Sequence, residues 1–207
     1  MPFITISRMY GSGGSEVAEI AARSLGWTLY DNAIVDEISQ RSGLPRAQVS
    51  AQEERVPSLV ERISGAFTLG TPEAMPPLPD GQPATTEEEI VAATRRVIED
   101  AVQRGPAVFV GRGAQCLLAE RSDGLHVFCY APTPALVAYA RNTRGIPAKD
   151  AEKTVHDMNK QREQYVRRHW SRNWLSPLNY HICLDTSWHG IERSAAMIVE
   201  AARGRGW

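Results

Sequence analysis

Two hundred and seven residues, 43% apolar and 23% charged, supply one hydrophobic core but not two large independent domains. That composition excludes a disordered chain, a collagen-like repeat and a coiled-coil rod. A formal net charge of −1 lacks the basic excess on which non-specific duplex binding relies, so nucleic acid is not an expected partner.

Residues 3–7, FITIS, form an apolar, β-branched run that predicts a strand. The run enters the glycine-rich stretch Gly11-Ser12-Gly13-Gly14, and SEVAEIAARSLG beyond it has helical spacing at Val17, Ala21 and Leu25. Gly26 ends that helix, WTLYD predicts a second strand, and NAIVDEISQRSG predicts a helix closing at Gly43. Helical pieces are expected from Pro45 to about Phe67. The segment 68–85, with five prolines, reads as an extended loop. Thr86-Glu87-Glu88-Glu89 is a capping box opening a helix to about Arg104. AVFV then predicts a buried strand leading into Gly111-Arg112-Gly113, followed by a helix over AQCLLAER and a strand over LHVFCYA. A helix after Pro134, a long one from about Pro147 to Trp170, a last strand over YHICLD and a final helix over 190–203 complete the chain. Strands alternating with helices imply a parallel sheet.

No run of 18 apolar residues occurs and the first residues do not read as a signal peptide, so no membrane association and a soluble, cytoplasmic protein are expected. The three cysteines form no C-x-x-C pair; Cys129 and Cys183 lie in apolar runs and are expected to be buried. No zinc site is expected, because the histidines show no ligand spacing. Residues 1–100 carry 8 basic and 15 acidic side chains, and residues 101–207 carry 15 and 9. The C-terminal half therefore attracts anions. Of the 23 basic residues only Lys149, Lys153 and Lys160 are lysines.

A strand running through a glycine loop into a helix is where backbone N–H groups and the positive helix end can cradle phosphate. The third glycine of a dinucleotide fingerprint is replaced by Glu16. Against the G-x-x-x-x-G-K-[ST] pattern, Gly13 takes the second glycine and Ser15 the magnesium-binding hydroxyl, while Arg8 stands at the first glycine and Gly14 at the lysine. Arg112 follows a buried strand, at the edge of a parallel sheet where ligands bind; a surface turn is the alternative. Val155, Met158, Arg162 and Tyr165 share one helical stripe, so Arg162 interrupts a buried face and needs an anionic partner, either a ligand or an internal carboxylate. Arg167, Arg168 and Arg172 alternate with Trp170 and Trp174 in a basic aromatic cluster that either closes over phosphates or is a solvated helix end. Asp31 ends the second strand, where it either meets a ligand or caps the next helix.

ITISRMYGSGG, LGWTLYDNAIVDEI, VFVGRGAQCLL, VFCYAPTPALV, the arginine-rich helix and NYHICLDTSWHGIE together resemble, in order, the cytidylate kinase-like family of P-loop kinases. The resemblance implies an α/β, three-layer P-loop kinase fold with a five-stranded parallel sheet, an acceptor-binding helical insertion at 34–104 and an arginine-rich lid at 141–174. It implies transfer of the ATP γ-phosphate to CMP or a similar nucleotide with Mg2+. Gly11, Ser12, Gly13, Gly14 and Ser15 would hold ATP phosphates, Ser15 the metal, Arg168 would close over the phosphates, and the Asp185-Thr186 segment would lie by the adenine ring. Arg112, Arg162, Asp31 and Asn159 would meet the acceptor, and Arg112 and Arg162 would act in catalysis by holding and neutralising the transferring phosphoryl. The chain departs from the family at Asn159, where an aspartate is expected, at Glu37, near a missing arginine, and at Val110, where an acid is expected. With the lysine absent, Arg8 is expected to substitute for it. A nucleotide-binding protein that has lost transfer chemistry, and a kinase for a non-nucleotide hydroxyl, remain the alternatives.

Overall fold

The computed structural model describes residues 1–31 and 87–207. The helices expected at 32–67, the proline-rich segment, Thr86 and most of the 34–104 insertion lie outside them.

Five parallel strands form one sheet: β1 (Phe3–Arg8), β2 (Thr28–Tyr30), β3 (Ala107–Val110), β4 (Gly124–Tyr130) and β5 (Ile182–Asp185), in the order β2-β3-β1-β4-β5. The central strand pairs Phe3 through Ile6 with Ala107 through Val110, and Phe3 through Arg8 with Gly124 through Cys129. The helices are α1 (Gly14–Leu25), α2 (Glu87–Arg104), α3 (Ala114–Leu117), α4 (Thr133–Arg144), α5 (Ala148–Trp170), α6 (Thr186–His189) and α7 (Ile191–Gly204). α3 is shorter than the eight residues expected for it. All five expected strands are present, and Gly26 ends α1 in a left-handed conformation, its N–H returned to the Ala22 and Arg23 carbonyls.

Because strand side chains alternate, β1 to β4 each contribute to two cores, while β5 packs on one side only. Ile4, Ile6, Val108, Val110, Val127 and Leu184 face α1 and α7, which meet them through Val17, Ala21, Ala195 and Ile198. Phe3, Phe109 and Tyr30 point the other way, under Ile90, Val97, Ile98 and Ala101 of α2. Phe128 on that side stacks on Tyr180 with centroids 4.9 Å apart and meets the edge of Trp174 at 5.3 Å. Burial of each large apolar side chain contributes about 1.5–3 kcal/mol, so the sheet holds its C-terminal edge rigidly. Cys129 is buried as expected, and burial pushes its thiol up to about 12. Cys183, expected to be buried, is exposed. It sits on β5, an edge strand, where an apolar run does not guarantee cover on both faces.

His126, on β4, is buried among polar and aromatic neighbours: Thr5 Oγ1 lies 2.7 Å from its Nδ1, and the His181 ring stacks on it at 5.1 Å. Burial, aided by the charges of His181 and Arg172, lowers its pKa to about 4 from an ordinary 6.5. The fold accommodates the neutral ring, so its contribution is complete above pH 6.5 and is lost as pH falls from 6.5 towards 4. Urea unfolding at pH 7 and pH 4.5 is expected to show a loss on the order of 2–3 kcal/mol that His126→Gln removes.

Candidate functional site

The carboxyl ends of β1, β3 and β4 face a common edge, and the chain turns there into α1, α3 and α4. From Met9 the loop runs to Gly13, with Ser12 N–H and its hydroxyl both donating to the Met9 carbonyl, at 3.2 and 2.8 Å. Gly13 takes the left-handed conformation at the N-cap of α1, and no side chain caps the helix. The first-turn N–H groups and the positive helix end are therefore left to an anion. Thr186, after β5, fixes the loop from the far side by donating to the Ser12 carbonyl at 2.6 Å.

Gly14 has a packing reason to be glycine. A Cβ there would lie 2.5 Å from Arg8 Cβ and 3.1 Å from Arg8 Cγ. The stem of Arg8 thus occupies the space beside the position where the phosphate-loop pattern puts lysine. One residue excludes the other.

At the end of β3, Gly111, Arg112 and Gly113 are all left-handed, with φ of 69°, 56° and 66°. For an arginine this costs about 1–2 kcal/mol, and it turns the side chain back beneath the sheet edge. The strain falls at the residue the sequence singled out. Arg8, Arg112 and Arg162 are only 8%, 4% and 8% exposed and line one small cavity together with Ser7, Gln115 and Trp174. Arg162 Nη1 donates to the Arg8 carbonyl at 2.9 Å, and its guanidinium sits 5.9 Å from the Tyr10 ring centroid. Three arginines, the second and third lying 104 and 154 positions beyond the first, thus meet at one point.

Beside them opens a cavity of about 710 Å³ lined by Arg8, Gly11, Gly13, Gly14, Ser15 and Arg162, with Asp31 and Met158 also on its wall. Asp31 thus lines the same cavity as the glycine loop. Glu16, Tyr139 and Arg144 line the same cavity, and Arg144 Nη2 lies 3.2 Å from Glu16 Oε1. Burial, then the Glu16 carboxylate, raises the Tyr139 hydroxyl. Sequence reading missed these three residues, because only the fold brings α4 against the first turn of α1.

The remaining candidates are placed differently. Asn159 Oδ1 accepts the Tyr10 N–H at 2.7 Å, so its side chain anchors the loop. Asp185 is the N-cap of α6, accepting from the Ser187 hydroxyl at 2.6 Å, Ser187 N–H at 3.0 Å and Trp188 N–H at 3.2 Å, and the hydroxyl first, then the two N–H groups, lowers its pKa. Arg168 is exposed, as is Arg167, whereas Trp174 is buried against Phe128 and Trp170 packs on Gly113. The basic aromatic cluster is therefore split, its rings in the core and these two arginines in solvent. Burial keeps the Cys116 thiol protonated, with its pKa raised to about 11, so it is no nucleophile at neutral pH. No helix among the described residues is long and apolar enough to cross a membrane.

A magnesium ion bound with a nucleotide fits this donor set: the Ser15 hydroxyl on the uncapped first turn, a carboxylate nearby at Asp31, and a cavity roomy enough for phosphates.

Comparison with solved structures gives the same architecture. An uncharacterized protein from Eubacterium ventriosum superposes with a TM-score of 0.70 at 18% identity, covering 98% of this chain and 99% of that one. Shikimate kinase from Acinetobacter baumannii, solved in complex with shikimate, gives 0.53 at 16% identity over 99% and 94% of the two chains. Shikimate kinase from Aquifex aeolicus gives 0.52 at 17% identity over 99% and 98%. The fold is thus that of the P-loop kinases. A search of curated proteins found no matching sequence. The model of the cytidylate kinase-like family matches residues 3–188, a span that starts at β1 and ends just beyond the Thr186 tie to the glycine loop. The chain that builds this arginine-lined sheet edge belongs to that family.

Proposed function

We propose that the protein transfers the γ-phosphoryl group of ATP to a nucleoside monophosphate, with a CMP-like acceptor. The convergence of Arg8, Arg112 and Arg162 beside an uncapped helix N-terminus carries this reading. Phosphoryl transfer spreads negative charge over the moving group and asks the protein chiefly for positioning and fixed positive charge. Gly11 to Ser15 cradle the ATP phosphates with backbone N–H groups, and Arg8 supplies the cation that lysine supplies in the G-x-x-x-x-G-K-[ST] pattern. Mg2+, held by Ser15, would neutralise charge on the phosphate oxygens. Arg112 and Arg162 grip the acceptor phosphate and neutralise the transferring phosphoryl group, and Asp31 lies at the acceptor end. The Asp185-Thr186 turn lies by the adenine ring, and Arg168 closes over the ATP phosphates. Segment 34–104 forms the acceptor lobe, and segment 141–174 forms a lid whose closure excludes water and suppresses hydrolysis. A cytoplasmic location suits these small-molecule substrates.

A catalytically silent nucleotide-binding protein is the second reading. It is favoured by the Tyr10 N–H being held by Asn159 and by Val110 standing where the family places an acid. The two readings separate when purified protein is incubated with ATP and Mg2+ against CMP, dCMP, UMP, AMP and GMP, and products are resolved chromatographically. Diphosphate from one acceptor, lost in Arg112→Ala, is the expected result. No product with any acceptor, together with nucleotide-induced thermal stabilisation, would establish the silent binding protein.

A further inference from the structure

A further cavity, of about 940 Å³, lies apart from the one at the phosphate loop. It lies between α4 and α5, beyond the Asn159–Tyr10 hydrogen bond, and shares only Met9 with the phosphate-loop cavity. Its floor is apolar: Met9, Leu136, Val155 and Trp174, of which the last three are nearly or fully buried. Its rim carries Lys149, Lys153 and Lys160, which are all the lysines in the chain, together with His156. Two carboxylates also line it, Glu152 and Glu163, and Glu163 faces Arg167 at 3.9 Å. No ion pair involves any of the three lysines among the described residues.

This protein uses arginine at its phosphate loop and elsewhere, and places lysine only here. Lysine carries a compact charge on a flexible stem, suited to following an anion of varied position, whereas arginine fixes a planar oxyanion. An apolar floor beneath a cationic rim fits neither a bare inorganic ion nor a neutral hydrocarbon. Ligand sites are mostly apolar concavities with a few placed polar groups.

We propose that the cleft between α4 and α5 is a second ligand site, which takes a small organic anion with an apolar body and is separate from the phosphate-loop cavity. Its occupant would press on Met9 and Asn159, the residues that connect the cleft to the loop, so the site is placed to adjust the loop's geometry.

Isothermal titration of the full chain with n-octyl phosphate, kept below its micellar concentration, tests the proposal. One-to-one binding is expected, about tenfold weaker in Lys153→Ala/Lys160→Ala, and at least as much weaker for inorganic phosphate and for 1-octanol on the unaltered protein. The stoichiometry is expected to persist in saturating ATP. No octyl phosphate binding at millimolar concentration, equal binding by the lysine variant, equal binding of inorganic phosphate or octanol, or loss of the binding event in ATP would each overturn it. Because both lysines are exposed, the variant is expected to retain the wild-type melting temperature, and it leaves the arginine cluster intact. Phosphoryl transfer need not be detected for this test to be read.

Discussion

Arg112→Ala is expected to lower kcat for phosphoryl transfer about a thousandfold, the scale on which an arginine that neutralises transferring charge contributes. Arg112 is buried, strained into a left-handed backbone and directed into the cavity shared with Arg8 and Arg162. Arg112→Lys keeps the charge but not the two-pronged geometry, and is expected to recover only a small part of the loss. Alanine also relieves no backbone strain, since its own Cβ disfavours the same φ, so a gain in stability is not expected. Arg162→Ala is expected to act on both turnover and folding. Its guanidinium donates to the Arg8 carbonyl inside the protein, and leaving that acceptor unmatched costs about 1–3 kcal/mol. Steady-state kinetics with a urea melt on each variant separates the two contributions. Equal turnover in wild type and Arg112→Ala would remove Arg112 from the reaction.

The second large effect concerns the missing lysine. Gly14→Lys would restore the P-loop pattern in sequence, yet its Cβ would fall 2.5 Å from Arg8 Cβ. Overpacking of this kind typically costs about 1–3 kcal/mol, so the single variant is expected to be destabilised and impaired. Arg8→Gly/Gly14→Lys removes the obstruction and rebuilds the pattern at both positions. Its expected stability exceeds that of Gly14→Lys alone, a non-additivity that chemical denaturation of the four-member cycle would measure. Additive effects would mean that Arg8 and Gly14 do not exclude one another.

The parallel sheet was legible in the sequence because every central strand is a short apolar run bounded by glycine or proline, and every connection long enough carries helical spacing. The strand–glycine loop–helix order at 3–25 was equally plain. Arg162 was found by its interruption of a buried stripe at Val155 and Met158, and the structure buries it. The left-handed conformation of Arg112 was hinted at only by its flanking glycines. Two features could not be read from one dimension. The exclusion between Arg8 and Gly14 is a contact across the sheet edge, and the approach of Tyr139 and Arg144 to Glu16 joins residues more than a hundred positions apart. Cys183 was misjudged because an apolar run looks the same on an edge strand as on a central one. Asn159 was read as a departure at a substrate position; its contact with the Tyr10 N–H depends on how α5 crosses the loop, which no local pattern encodes.

In the proposed reaction Arg8 supplies the phosphate-loop cation. Calorimetric titration of ATP with Mg2+ into wild type and Arg8→Ala tests it directly. An affinity about tenfold or more weaker in Arg8→Ala, corresponding to at least 1.4 kcal/mol, is expected. Equal affinity together with equal turnover would contradict it and leave the phosphate charge to be met elsewhere.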